Sequence, residues 1–267
     1  MHRRPDRTPP ASRTCSAGFT IIELAIALFL TALLFGGISV PLATQIDTRN
    51  TERTERLLAD AREALMSYAV THGHFPCPAD ATSAGLEPRS ADHMTGKCPT
   101  YYGFLPAATL GLREALGSGL AVDAWGGPGL IRYAVSAQTI GPATNTNTLT
   151  RAHGMRAAGI PSLSDPALSL LHVCDSAKGV SGGNSCGSAG TIVSTAPVMV
   201  WSAGPNAAVG GTSADEAQNP NPNGGSLDRI FVSHSRSTVP GKEFDDVVTW
   251  VPMPVLVGRM VAAGRLP

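Results

Sequence analysis

The hydrophobic pattern changes character along the chain. From Phe19 to Leu42 the residues are almost continuously apolar, and Glu23 is the single formal charge. A run of this length is enough for a helix that crosses a bilayer. From Ala43 to Val70 the pattern turns amphipathic. Ile46, Leu57, Leu58, Ala61, Leu65 and Tyr68 recur at helical spacing, with a gap across Asn50 to Arg53. Glu52, Arg53, Glu55, Arg56, Asp60, Arg62 and Glu63 fill the other faces, and Glu52 to Arg56 is an i,i+4 pair of favourable orientation. The helix is predicted to stop at His72-Gly73, where glycine suits a left-handed cap. The two stretches together predict one helix of about 50 residues. The narrow apolar stripe on its second half asks for a sheet to cover it.

Beyond Gly73 the pattern breaks into short segments. Leu130–Ser136, Pro197–Ser202, Ile230–His234 and Asp246–Trp250 are rich in β-branched or aromatic residues and bounded by Gly, Pro, Asn or Ser, so they read as strands. Val255–Ala263 reads as a short helix with Gly264 as its stop. The predicted fold class is α+β: a long N-terminal α-helix, transmembrane in its first half, packed on a C-terminal antiparallel β-sheet with long loops. Four regions follow: a leader (1–18), an apolar helix (19–42), its amphipathic continuation (43–72) and a globular head (73–267).

Composition sharpens this division. The 267 residues carry 20 basic and 20 acidic side chains, which argues against a nucleic-acid binder. Only 15% of the chain is charged, and the 29 Gly and 21 Pro mark a loop-rich protein. The neutrality is a sum of unequal parts. Arg3, Arg4, Arg7 and Arg13 stand against Asp6 in the leader, so the rest of the chain has an acidic excess. A basic leader before an apolar helix places the N-terminus in the cytoplasm. The expected localisation is therefore a bacterial inner membrane crossed once, with the head in the periplasm and later in a periplasmic or surface fibre. A carboxylate inside such a helix costs about 2.5–3.5 kcal/mol on insertion scales, which makes Glu23 a functional candidate. Cleavage before Phe19 creates an α-amino group about one helical turn away, able to neutralise it.

The segment Gly18-Phe19-Thr20-Ile21-Ile22-Glu23-Leu24, behind a basic leader and ahead of an apolar run, resembles the processing site of type IV pilins and type II secretion pseudopilins. The resemblance covers about the first fifth of the chain. It implies cleavage between Gly18 and Phe19 by a prepilin peptidase, N-methylation of Phe19, and a docking role for Glu23 during fibre assembly. It also implies a structural role with other pilin or pseudopilin subunits, the assembly platform and the inner membrane as partners, and no nucleic acid. Pro41 falls one place later than the proline usual in that family. Asp123-x-Trp125-Gly126 leading to Tyr133, and the closing Asp246-Val247-Val248-Thr249-Trp250, are similar to sheet segments of pseudopilins. Trp125 and Trp250 are equally readable as core aromatics. The chain is large beside a typical major subunit, which favours a minor one. A membrane-anchored periplasmic binding or adhesion protein is the alternative, with an anchored hydrolase behind it.

Cys15 lies in the leader. The remaining Cys77, Cys98, Cys174 and Cys186 are an even set on the far side of the helix, where an oxidising compartment favours disulfides. Of the three possible pairings, the sequence-local one, Cys77 with Cys98 and Cys174 with Cys186, closes loops with few apolar residues of their own. A zinc site from His72, His74, Cys77 and Cys98 is the rival use of the same thiols. The oxygen-rich loop Ser202–Asp228 holds Asp215, Glu216, Asn219, Asn221, Asn223 and Asp228. Its position resembles the calcium loop of major pseudopilins, with Asp215, Glu216 and Asp228 as sparse candidates. No other cofactor is expected. No nucleophile elbow, phosphate loop or dinucleotide fingerprint occurs, so no catalysis is read from the chain.

Overall fold

A computed structural model describes residues 20–88, 90–112, 119–141, 147–180, 183–208, 211, 213–219 and 228–266, with residues 34–43 as backbone only. The helices are α1 (Ile21–His72), α2 (Gly154–Leu163), α3 (Ala214–Gln218) and α4 (Met253–Ala262). The strands are β1 (Tyr102–Phe104), β2 (Arg132–Val135), β3 (Leu171–Cys174), β4 (Thr191–Ala196), β5 (Val198–Ser202), β6 (Ile230–Val232) and β7 (Val247–Trp250). The chain divides into two compact units between Asp47 and Thr48.

Within the first unit, α1 begins directly after Thr20, and its described side chains from Ile21 to Leu33 are exposed. Among the described residues no helix is long and apolar enough to cross a membrane. This corrects the expected transmembrane first half and, with it, the single-pass inner-membrane placement. The apolar stretch whose side chains are described, Ile21–Leu33, is shorter than the ~20 apolar residues a bilayer core requires and contains Glu23. The side chains of Leu34–Leu42, including Pro41, lie outside the described residues, as do the leader and Cys15.

In the second unit, the polar half of α1 buries a stripe. Leu57, Leu58, Ala61, Leu65, Met66 and Ala69 meet Tyr133 and Val135 of β2, Val198 and Val200 of β5, and Met253, Leu256 and Met260 of α4. Each such side chain contributes about 1.5–3 kcal/mol when fully removed from water. Ile46, counted in the predicted stripe, is exposed, and Tyr68 is only half-buried. Thr54 is fully buried although polar. Gly73 ends α1 as predicted, with φ +79° and its N–H donated to Ala69 O at 2.8 Å. Gly264 ends α4 in the same way, with φ +66°.

The expected single antiparallel sheet is two sheets. The first has strand order β1-β2-β5-β7 and is antiparallel throughout. The second has order β4-β3-β6, and β3 pairs with β6 in parallel, His172 opposite Ile230 and Cys174 opposite Val232. All four predicted strands are present within their ranges; β1, β3 and β4 were not predicted. The two-face burial of β5 explains the layering. Val198 and Val200 face α1, while Met199 and Trp201 face Leu171, Val173, Ala196 and Phe231. A strand covered on both sides loses its polar alternation and reads as a continuous apolar run. Pro197 separates β4 from β5 and marks where the chain passes from one sheet to the other. Trp201, packed on Phe231 with ring centroids 5.0 Å apart, is the buried tryptophan, whereas Trp125 and Trp250 are only half-buried.

Candidate functional site

The amino end of α1 is the first candidate. Gly18 and Phe19, the predicted processing pair, lie outside the described residues. Thr20 and Glu23 are described. The Glu23 backbone N–H donates to Thr20 Oγ1 at 3.3 Å, and Leu24 N–H donates to Thr20 O at 3.1 Å. Thr20 thus caps the helix, and Thr-x-x-Glu has the spacing of a capping box. That spacing is legible in the sequence itself. A carboxylate in the first turn also complements the positive end of the helix dipole. Ile21, Ile22, Leu24, Ile26, Leu28, Phe29, Leu30 and Leu33 are all at least half exposed around it. The segment is therefore apolar on every face and carries one exposed carboxylate.

The second candidate lies under the Cys77–Cys98 disulfide. Both predicted disulfides are present, with Cα atoms 5.5 Å apart for Cys77–Cys98 and 5.6 Å for Cys174–Cys186. The thiols of the rival zinc set are consequently bonded to each other. The histidines of that set stack instead. Tyr68 lies on His72 and His74 lies on His93, each with ring centroids 4.0 Å apart. His93 bonds Glu87 through Nε2 at 3.1 Å and Thr150 O through Nδ1 at 2.7 Å. Burial pushes His74 down, while the bond to Glu87 pushes His93 up. Tyr68 is pushed up to about 12, by burial first and by Glu87 second. Stacked rings do not point lone pairs at one centre. Among the described residues no group of three or more His, Cys, Asp or Glu is placed to hold a metal ion.

The third candidate is the acidic loop. Asp215 and Glu216 open α3, and Ser213 caps it by accepting the Glu216 N–H at 3.1 Å. The two carboxylates then part. Asp215 Oδ1 accepts from Ser176 Oγ at 3.0 Å and Ala177 N–H at 2.6 Å, and Oδ2 meets His234 Nε2 at 3.2 Å. Glu216 turns inward, accepting the Asp245 N–H at 3.0 Å and Asn206 Nδ2 at 3.3 Å. Asp228 accepts from Ile230 N–H and from Gln218. Asn219 clamps β6, accepting Val232 N–H at 2.7 Å and donating to Asp246 Oδ2 at 2.6 Å. Asn221 and Asn223 lie outside the described residues. The calcium candidates therefore serve three different hydrogen-bond sets.

Asp246 is pushed up to about 7, chiefly by burial, with Glu216 and Asp245 adding repulsion and the Asn219 bond opposing. A carboxyl whose folded-state pKa is raised binds more protons when folded than when unfolded. Stability then falls as pH rises from about 4 to 7. Asp246→Asn keeps an acceptor for Asn219 and removes the charge. It is expected to raise stability at pH 7.5 by about 1–2 kcal/mol and to flatten the fall between pH 5 and 7.5. Urea denaturation across that range checks this; equal slopes for both proteins would contradict it.

The Asp123-x-Trp125-Gly126 segment is a structural junction. Asp123 Oδ1 accepts from the backbone N–H groups of Trp125 at 3.0 Å and Gly126 at 3.1 Å, and Oδ2 accepts from Ser202 Oγ at 2.6 Å. The Ala124 N–H donates to Thr54 Oγ1 at 3.1 Å. This turn ties α1 to β5 and explains the buried Thr54. Tyr133, which follows it in β2, donates its hydroxyl to Pro76 O at 3.1 Å.

No known family model, curated protein or solved structure matches the chain.

Proposed function

We propose that the chain is a non-catalytic structural subunit of a pilin-like fibre, a pseudopilin or minor pilin of a type II secretion or type IV pilus-like assembly, processed before Phe19 by a prepilin peptidase. The observation that carries this reading is the segment Ile21–Leu33, apolar on every exposed face and marked by one carboxylate in its capped first turn. A helix apolar all round demands a partner surface. Copies of the same helix in neighbouring subunits supply one, and the new α-amino group of a cleaved chain supplies the cation for Glu23. An unpaired carboxylate in such a bundle is costly and a paired one is tolerated, so pairing selects correct assembly. The two disulfides suit a head that works in an oxidising compartment.

Mass spectrometry of the mature N-terminus tests the processing step. A chain that begins at methylated Phe19 supports it, and one that begins elsewhere overturns it. Glu23→Ala is expected to leave cleavage intact and to lower incorporation into fibres about tenfold or more, the effect of ~1.4 kcal/mol per contact. Cross-linking of assembled subunits reads this out. Wild-type incorporation of the variant would contradict the role of Glu23.

A further inference from the structure

β3 and β6 run in parallel, so the segments leaving their carboxyl ends emerge side by side, and Ser233 N–H donates to Cys174 O at 3.0 Å. The first segment carries Asp175, Ser176 and Lys178; the second carries His234, Arg236 and Ser237. With the start of α3 and with Lys242 they enclose an open cavity of about 800 Å³. One wall is braced. Asp215 is held by Ser176, by the Ala177 N–H and by His234. His234 has both ring nitrogens engaged, the second with Ser235 O at 2.8 Å, and its ring lies 3.9 Å from that of Phe244. With both nitrogens engaged, His234 is set up as a fixed wall rather than as a base for a nucleophile.

The electrostatics of the rim are cationic. Lys178, Arg236 and Lys242 line the cavity, and among the described residues neither Lys178 nor Lys242 is in an ion pair. The two lining carboxylates accept hydrogen bonds from the wall, Asp215 as above and Asp175 from the Gly190 N–H at 2.8 Å, and offset part of the rim charge. Ser176, Ser213, Ser235 and Ser237 add hydroxyls. The set of groups selects among anions. A nucleotide asks for an aromatic or apolar face for its base, and among the described residues His234 is the only ring in the lining. A polyphosphate brings three or more negative charges to a rim whose cations are partly offset by Asp175 and Asp215, whereas a monocarboxylate brings one. Inorganic sulfate or phosphate is far smaller than the cavity, whose volume falls in the ordinary range for organic ligands. A ligand with one carboxylate and many hydroxyls meets every requirement. Its carboxylate pairs with Lys178 and Lys242, and its hydroxyls exchange hydrogen bonds with the serines and donate to the aspartates.

We infer that the cavity between the β3–β4 and β6–β7 connections binds an acidic sugar of the uronic- or sialic-acid type, recognised by Lys178 and Lys242 through its carboxylate. This goes beyond the structural role proposed above and does not depend on it, because no residue of α1 takes part. Calorimetric titration of the full chain with galacturonate, glucuronate and sialate, each as monosaccharide and as trisaccharide, tests it. Saturable binding of at least one is expected. Its carboxyl methyl ester should bind about tenfold more weakly or not at all, the loss of one charge-assisted contact. Tighter trisaccharide than monosaccharide binding assigns a polymer as the source, and equal binding assigns a free sugar acid. Lys178→Gln with Lys242→Gln should weaken binding about tenfold or more at an unchanged melting temperature, since both side chains are exposed. Absence of saturable binding by all six sugars, full binding by the double variant, or competition by sodium sulfate at equal concentration overturns the inference.

Discussion

Asp123→Ala is expected to destabilise the head by about 3–5 kcal/mol, because the change strands several partners at once. The Ser202 hydroxyl and the Trp125 and Gly126 amides all lose their acceptor. Ser202 is fully buried, so its hydroxyl has no ready replacement from water. The turn also presents the Ala124 N–H to Thr54, so its loosening removes a link between α1 and the sheet. A loss of this size in a head of about 200 residues lowers the melting temperature by roughly 10 °C. Asp123→Asn is the informative companion. Burial pushes the Asp123 carboxyl up against the pull of its hydrogen bonds, so the charged form is held at some cost. A neutral amide keeps one acceptor oxygen and escapes that cost, and it should lose about half as much as alanine or less. Guanidinium denaturation followed by tryptophan fluorescence checks both variants. Equal losses for the two would show that charge, rather than hydrogen bonding, holds the turn.

Loss of the Cys77–Cys98 bridge is the second large effect. The residues are 21 apart, and the chain-entropy model gives about 3 kcal/mol for a loop of this size. The enclosed segment makes few apolar contacts of its own and docks through polar ones: Tyr101, Asn147 and Thr150 all donate to Gly96 O. Gly96 has φ +79°, and a side chain there would collide with the backbone oxygen of Asn147. The bridge and this glycine therefore hold a segment that hydrophobic burial does not. Cys77→Ala with Cys98→Ala should lower stability by about 3 kcal/mol and loosen the His74–His93 stack. The matching pair at Cys174 and Cys186, 12 residues apart, should cost about 0.5 kcal/mol less on the same model. Denaturation with and without reductant, and exchange of the amide protons around His74 and His93, provide the measurements. A loss below ~1 kcal/mol for the first pair would mean that the polar docking alone suffices.

Several elements were legible from local chemistry. The stop of α1 needed only Gly73, and α4, read from the sequence as Val255–Ala263, needed only its apolar run and the glycine at 264. Four strands were readable because each combines β-branched residues with flanking breakers. An even count of cysteines left three pairings open, and the sequence-local one, favoured because its loops have few apolar residues, is the one present. Other elements were hidden. β1 and β3 are only three and four residues long. By contrast β4, Thr-Ile-Val-Ser-Thr-Ala, is β-branched at four of its six residues and lies between Gly190 and Pro197, so it carries the same local signal as the predicted strands. α2 contains Gly159, with φ +77°, and Pro161, both of which break a helical pattern. The acidic loop misled for a different reason. Carboxylate count signals a metal only when the chain brings the oxygens to one point, and here Asp215, Glu216 and Asp228 are drawn to three separate sets of donors.

The sequence by itself determined the polarity of the molecule along its length: a basic N-terminal stretch, an apolar stretch with one carboxylate, an amphipathic helix and a loop-rich remainder with two local cysteine pairs. These follow from side-chain chemistry and short-range periodicity. Only the tertiary structure decided that the head has two sheets, that β3 and β6 run in parallel, and that Asp123, Thr54 and Ser202 meet at one turn. It also overturned the membrane-crossing reading of α1. Strand partners and polar junctions join residues tens to more than a hundred positions apart. No local pattern specifies which of them meet, because the choice is made by the shared burial of whole faces.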